Sequence, residues 1–210
     1  MTPWTFFLSH RSEILNATLD HLTLVIIAMA FAIAIAVPLG MLIVQHRILR
    51  AIALGAASVF QTIPSLALFG FLIPIPFIGG IGRRTAIVAL VLYALLPILR
   101  NTYVGLTGID PAILEAAEAM GMTGTQILLR VRLPLALSVI LAGIRTSTVI
   151  TIGVATIAAA IGAGGLGTFI FRGVAMVSDS VILAGAIPAA LLAISADLLL
   201  GLLERRLKVT

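Results

Sequence analysis

The chain has 210 residues, of which 61% are hydrophobic and 10% charged, and a mean hydropathy of +1.23; soluble domains are about 45–50% apolar. Such a composition excludes a water-soluble domain and defines an integral membrane protein. The net charge of +5, from 13 basic and 8 acidic side chains, is too scattered to serve nucleic acid and bears on topology instead, while the absence of cysteine excludes disulfides and thiolate metal sites.

The opening residues, MTPWTFFLSHRSE, lack the cationic start and small-residue cleavage site of a signal peptide and are read as mature sequence. Residues 22–44 carry no charge, enough chain to cross a hydrocarbon core of about 30 Å; this is the first predicted span. Residues 51–81 are also uncharged but too long for one straight crossing, and QTIPS at 61–65 interrupts them. Pro64 removes a backbone donor there, which predicts a broken or kinked second span. The third runs from 85 to about 99, with Pro97 and Arg100 marking its end. The fourth runs from about 135 to 160, where GAGGLG at 162–167 breaks the helix, and the fifth from 181 to 203, closed by ERRLK. The expected fold is an all-α membrane protein of about five transmembrane helices, forming one domain over residues 1–210.

Five spans place the termini on opposite sides, and lysine and arginine choose the orientation. With the N-terminus outside and the C-terminus cytoplasmic, the inner side receives Arg47, Arg50, Arg100, Arg130, Arg132, Arg205, Arg206 and Lys208. The outer side receives only Arg11, Arg83, Arg84 and Arg172. Residues from about 103 to 134 then form a cytoplasmic loop. A structureless loop of that length is unusual, and its sequence contains a helix: Asp110 as N-cap, Pro111 at the first helical position, four alanines, and Gly121 to end it. On these features alone, the predicted helix at 111–120 is either a solvated surface element or a docking element.

The residues from Glu115 to Pro134 favour docking. Glu115-Ala116-Ala117, Gly121, Val131 and Leu133-Pro134 reproduce the spacing of the EAA loop of permease subunits in binding-protein-dependent ABC transporters, with valine in a place where isoleucine is usual. The wider stretch from RNTYVGLTGIDPAILEAAEAMG to IRTSTVITIGVATIAAAIGAGGLG resembles the branch that imports osmoprotectants such as glycine betaine, choline and carnitine. The resemblance implies that residues around Glu115, Ala116, Ala117, Glu118 and Gly121 form a coupling helix seated in a cleft of the ATP-binding subunit. It also implies two such ATPase subunits holding ATP–Mg, a second permease, identical or homologous, a separate extracytoplasmic substrate-binding protein, and residence in the bacterial inner membrane. No cofactor is expected in this chain itself: Lys208 is its only lysine, so no Walker A loop can be assembled.

Three groups of span residues carry two readings each. Gly143, Ser147, Thr151, Ala155, Ala159 and Ala163 repeat every four residues, which is either close helix packing or, with Ser147, Thr148 and Thr151, a weakly polar lining for a translocation path. Gln61, Thr62, Pro64 and Ser65 mark either a proline kink or a path or gate, since unwound backbone in a membrane faces protein or a water-filled cavity. GAGGLG is a flexible outer loop or a second gate. Arg145 and Asp197, each roughly 9–15 Å inward from the cytoplasmic ends of their spans at about 1.5 Å per residue, are expected to form a structural ion pair rather than a proton relay.

Betaine-type cations are held by aromatic faces, yet the chain has one Trp and two Tyr, so selectivity is assigned to the binding protein. Carriage of another trimethylammonium compound such as ergothioneine fits the same residues. An intramembrane enzyme is disfavoured because His10, His21 and His46 are isolated and neither HExxH nor GxSxG occurs; the isolated histidines also offer no metal site. An ion channel leaves the coupling helix without a purpose.

Overall fold

The computed structural model describes residues 3–207, so Lys208, counted above toward the inner side, lies outside the described residues. The described chain is built from α-helices: α1 (Pro3–Ser9), α2 (Arg11–Ile43), α3 (Arg47–Thr62), α4 (Ser65–Leu72), α5 (Arg83–Thr107), α6 (Pro111–Ala119), α7 (Gly124–Ile127), α8 (Leu133–Ile157), α9 (Gly167–Ala175) and α10 (Asp179–Arg206). A π-helical turn at Leu128–Arg132 joins α7 to α8, and a 3-10 turn at Ala158–Ile161 closes α8.

Four elements are long and apolar enough to cross a membrane unaided: α2, α5, the continuous run Gly124–Ile161, and α10. A fifth crossing follows from where the ends lie. Asp20 near the start of α2 pairs with Arg83 at the start of α5 at 3.1 Å, so these helices begin at the same end of the bundle. Arg50 at the start of α3 donates to the Tyr103 hydroxyl near the finish of α5, at the other end. The chain between Ile43 and Arg83 therefore returns across the bundle through α3 and α4, although the two are bent by 107° at their break.

The central core is formed by α2, α5 and α8, with Leu24, Ala28, Ala32, Leu90, Ala94, Ile98 and Ala155 buried among them. Small residues set the spacing between α5 and α8. A Cβ at Gly143 would lie 2.8 Å from the Pro97 carbonyl, and one at Gly105 would lie 3.1 Å from the Ala136 and Val139 side chains. Gly143, Ser147, Thr151, Ala155 and Ala163 of the four-residue stripe are buried, and Ala159 is half-buried. A second cluster, Phe6, Ile14, Ala17, Leu166, Phe169, Val181 and Ala184, closes the end where α2 begins.

Several predicted boundaries are corrected. α2 starts at Arg11, ahead of the uncharged run, because Ile14, Ala17 and His21 are buried and reward the extra turns. Pro97 and Arg100 do not end the third crossing: α5 continues to Thr107, with Leu99, Thr102, Gly105 and Leu106 buried beyond the proline. One missing N–H is outweighed there by packing on α2 and α8. The helix that carries the fourth crossing starts at Gly124, where Thr123 and Gln126 form a reciprocal capping box, Oγ1 accepting from the Gln126 N–H and Oε1 from the Thr123 N–H. The expected loop at 103–134 is thereby mostly helix.

Candidate coupling surface and pathway residues

The helix α6 is stopped at both ends by side-chain and backbone chemistry. The Asp110 carboxylate accepts from the Ala112 N–H at 2.9 Å, with Pro111 opening the helix. At the other end the Gly121 N–H donates to the Glu118 carbonyl (2.8 Å) and the Met122 N–H to the Ala117 carbonyl (3.2 Å). This Schellman closure needs a left-handed residue, and Gly121 has φ of 77°. Of the EAA residues, Ala117 is buried against its own chain, while Glu115, Ala116 and Glu118 are exposed together with Met120. Glu118 also lines a cleft with Gln45 and Arg132, between α6–α7 and the finish of α2. The surface offered outward thus has carboxylates on either side of a small residue, with an exposed methionine at its edge.

The break between α3 and α4 sits at Ile63 and Pro64, both extended, with ψ of 128° and 137°. Gln61 and Ser65 are half-buried, and Thr62 and Pro64 exposed. Thr62 donates back to the Val59 carbonyl at 2.8 Å. The Ile63 carbonyl, freed by the break, accepts from the hydroxyl of Tyr93 on α5. The sequence reading singled out the break but not Tyr93, whose only signal is that it is one of two tyrosines in the chain.

Ser147 and Thr151 have no exposed surface. Ser147 Oγ donates to the Ala94 carbonyl of α5 at 2.8 Å, and Thr151 Oγ1 to the Met29 sulfur of α2 at 3.6 Å. Both make cross-helix contacts inside the core of this chain. Thr148 is half-buried and donates to the Ile144 carbonyl of its own helix at 2.8 Å.

GAGGLG is a built turn. Gly162, Gly164 and Gly165 have φ of 75°, 85° and 78°, conformations that only glycine adopts readily. His21 anchors this turn from α2. Its ring is fully buried, Nε2 lies 3.1 Å from the Ile152 carbonyl, and a Cβ at Gly165 would lie 3.1 Å from Nδ1. Since a carbonyl only accepts, Nε2 is the donor, and Nδ1 is left as an acceptor without a partner among the described residues. His21 falls on the buried face of α2 with Ala17, Leu24, Val25 and Ala28, a helical spacing legible in the sequence.

Arg145 and Asp197 meet in a bidentate pair, Nε to Oδ1 at 2.6 Å and Nη2 to Oδ2 at 2.7 Å, the strong geometry for guanidinium and carboxylate. The pair is a bridge on the surface between α8 and α10 and not a buried one: the side chains are 36% and 40% accessible. A third member, Glu204, approaches Nη1 at 3.4 Å. Asp197, Gly201 and Glu204 stand four and three residues apart on α10, one face of a helix, so the sequence held this partner too.

Five crossings, a break in the second and a capped helix projecting between the third and fourth describe a membrane transport subunit. Residues 32–209 match the family of binding-protein-dependent transport system inner membrane components, and the chain belongs to that family. It is 46% identical over 203 residues to a carnitine transport permease protein, OpuCB, of Listeria monocytogenes, covering 97% of this chain and 92% of the relative. To an osmoprotectant import permease protein, OsmW, of Salmonella typhimurium it is 47% identical over 201 residues, covering 95% and 94%. Its fold superposes on a chain of the MetNI methionine ABC transporter in an inward-facing conformation with a TM-score of 0.82 at 24% identity, over 92% of this chain and 95% of that one. The chain is accordingly a multi-pass permease of an ABC importer, which is a transport component and not an enzyme, and it works with separate ATPase and substrate-binding proteins.

Proposed function

We propose that this permease forms half of the translocation pathway for a quaternary-ammonium osmoprotectant of the glycine betaine, carnitine or choline class. The observation that carries the substrate class is identity of 43–47% over nearly the whole chain to permeases named for carnitine, choline, glycine betaine or osmoprotectant transport. Two permeases, identical or homologous, would enclose the path, and two ATP-binding cassette subunits would hold ATP–Mg. In this reading α6 is the coupling helix, with Glu115, Ala116 and Glu118 meeting a groove of the ATPase and Ala117 and Gly121 fixing the helix on its own chain. Residues 61–65 border the path or a gate. The excess of arginine at the end carrying α6 supports a cytoplasmic placement of that end and of the C-terminus, with the N-terminus outside.

The test is reconstitution with the ATPase and binding protein, followed by ATP-dependent uptake of labelled glycine betaine, carnitine, choline and ergothioneine. Uptake of the first three with none of ergothioneine supports the reading. Preference for ergothioneine would keep the machinery and change the cargo. Uptake without ATP would remove the coupling role of α6.

A further inference from the structure

The 107° bend between α3 and α4 has an obvious cause in Pro64, and that cause is insufficient. Pro38, Pro97 and Pro188 lie inside α2, α5 and α10, and none of them breaks its helix. Pro64 differs in what happens to the carbonyl beside it. In a continuous helix the Ile63 carbonyl would be taken by the N–H of Ala67, four residues on. In the bent form that bond is not made, and a carbonyl left open at membrane depth is costly. The Tyr93 hydroxyl supplies the missing donor from α5. Tyr93 is 6% exposed and belongs to the same buried cluster as Leu68, Phe69 and Leu72 of α4, so its ring is held where the hydroxyl can reach.

We infer that Tyr93 is a positioning residue that holds the second crossing in its bent form, by donating to the carbonyl that the break leaves without a helix partner. The hydroxyl favours the bent form because there the Ile63 carbonyl has no helix donor and the Tyr93 bond is the one that satisfies it, whereas in a straight helix the Ala67 N–H would satisfy it without Tyr93. Release of the hydroxyl lets the crossing straighten through residues 61–65. The functional weight of that motion rests on the proposal that these residues border the path.

The chain has no cysteine, so two can be introduced as the sole labelling sites, at Ile52 on α3 and Phe71 on α4, which are 62% and 65% exposed. A straight helix would separate these positions by about 28 Å along its axis, and the bent form by much less. The experiment uses the assembled complex with its ATPase subunits, purified so that each complex holds one labelled permease. Spin-label distances are read together with uptake of labelled glycine betaine, carnitine and choline and with ATP hydrolysis. The parent should show the short distance. Tyr93→Phe should add a population near the straight value, Tyr93→Phe with Pro64→Ala should make it dominant, and Pro64→Ala alone should stay bent. Uptake in Tyr93→Phe should fall several-fold, and hydrolysis without binding protein should rise. Unchanged distances in Tyr93→Phe would overturn the inference. If that variant does not assemble, Pro64→Ala decides: a straightened crossing with Tyr93 intact would assign the bend to proline and overturn it, and a bent one would support it. A lengthened distance with undiminished uptake would leave the hold of Tyr93 standing and remove residues 61–65 from the path.

Discussion

The guanidinium of Arg145 lies directly against Gly201: a Cβ there would fall 3.0 Å from Nη1 and 3.1 Å from Cζ. The arginine can grip Asp197 and still extend toward Glu204 because the residue between them on α10 has no side chain. Gly201→Val should therefore expel the guanidinium, loosen α8 from α10 around Arg145, and lower the melting temperature of the complex in detergent. Gly201→Ala should be milder, since the end of an arginine shifts easily by a few tenths of an ångström. Equal melting temperatures for parent and Gly201→Val would show that the glycine is not needed for the bridge.

The same cluster predicts an unequal response to removing its members. Arg145→Ala removes the cation that both Asp197 and Glu204 contact. Asp197→Ala leaves Arg145 with Glu204 still 3.4 Å away. Thermal unfolding should rank Arg145→Ala as the more damaging change, with the double variant less damaging than the sum of the two. Strict additivity would mean that the bidentate contact carries no coupling.

Ser147 and Thr151 should behave as packing residues. Ser147→Ala removes one cross-helix hydrogen bond, a loss of about 0.5–1.5 kcal/mol, and Thr151→Val keeps the shape of the buried side chain. Both should lower thermal stability slightly and leave the half-saturation of uptake unchanged. Gln61→Ala and Thr62→Val should shift uptake with little effect on stability. A changed substrate preference in Ser147→Ala would return Ser147 to the path.

At the end of α6, Gly121→Val puts a β-branched residue at φ of 77°, which disfavours the Schellman closure by about 1–2 kcal/mol. Gly121 is exposed and outside the crossings, so membrane insertion should be normal while uptake and substrate-stimulated hydrolysis fall together. Normal uptake by this variant would remove the mechanical role assigned to the turn.

How far these features were legible depends on the range over which each is encoded. The cap at Asp110, the stop at Gly121 and the break at Pro64 are local, written in neighbouring residues, and α6 and the break lie at these positions in the structure. The run past Pro97 was not legible in this way, because its support comes from α2 and α8, distant in sequence. Arg145 and Asp197 could be matched by depth on antiparallel helices, yet their accessibility depends on which way α10 turns its polar face, and hydropathy averages that away. The capping box at Thr123 and Gln126 is local in the same way, a Thr-x-x-Gln spacing within one turn. Tyr93 and His21 gave no motif at all: each serves a backbone carbonyl on another helix, and such partners emerge only when the chain is folded.

The run Gly124–Ile161 is 38 residues long and begins just beyond the turn that closes α6. It contains no full break, only the π-helical turn at Leu128–Arg132 and the closing 3-10 turn at Ala158–Ile161. At about 1.5 Å per residue it is a rod of about 57 Å, reaching from the α6 end of the bundle to the GAGGLG turn beside His21. A rod conveys rotation as well as translation: tilting it by about ten degrees about its midpoint moves each tip by about 5 Å, in opposite directions, at this rise. Under the proposed coupling role, a push on α6 would reach both mouths of the bundle in one stroke, and the π turn would set how much of that stroke is absorbed on the way.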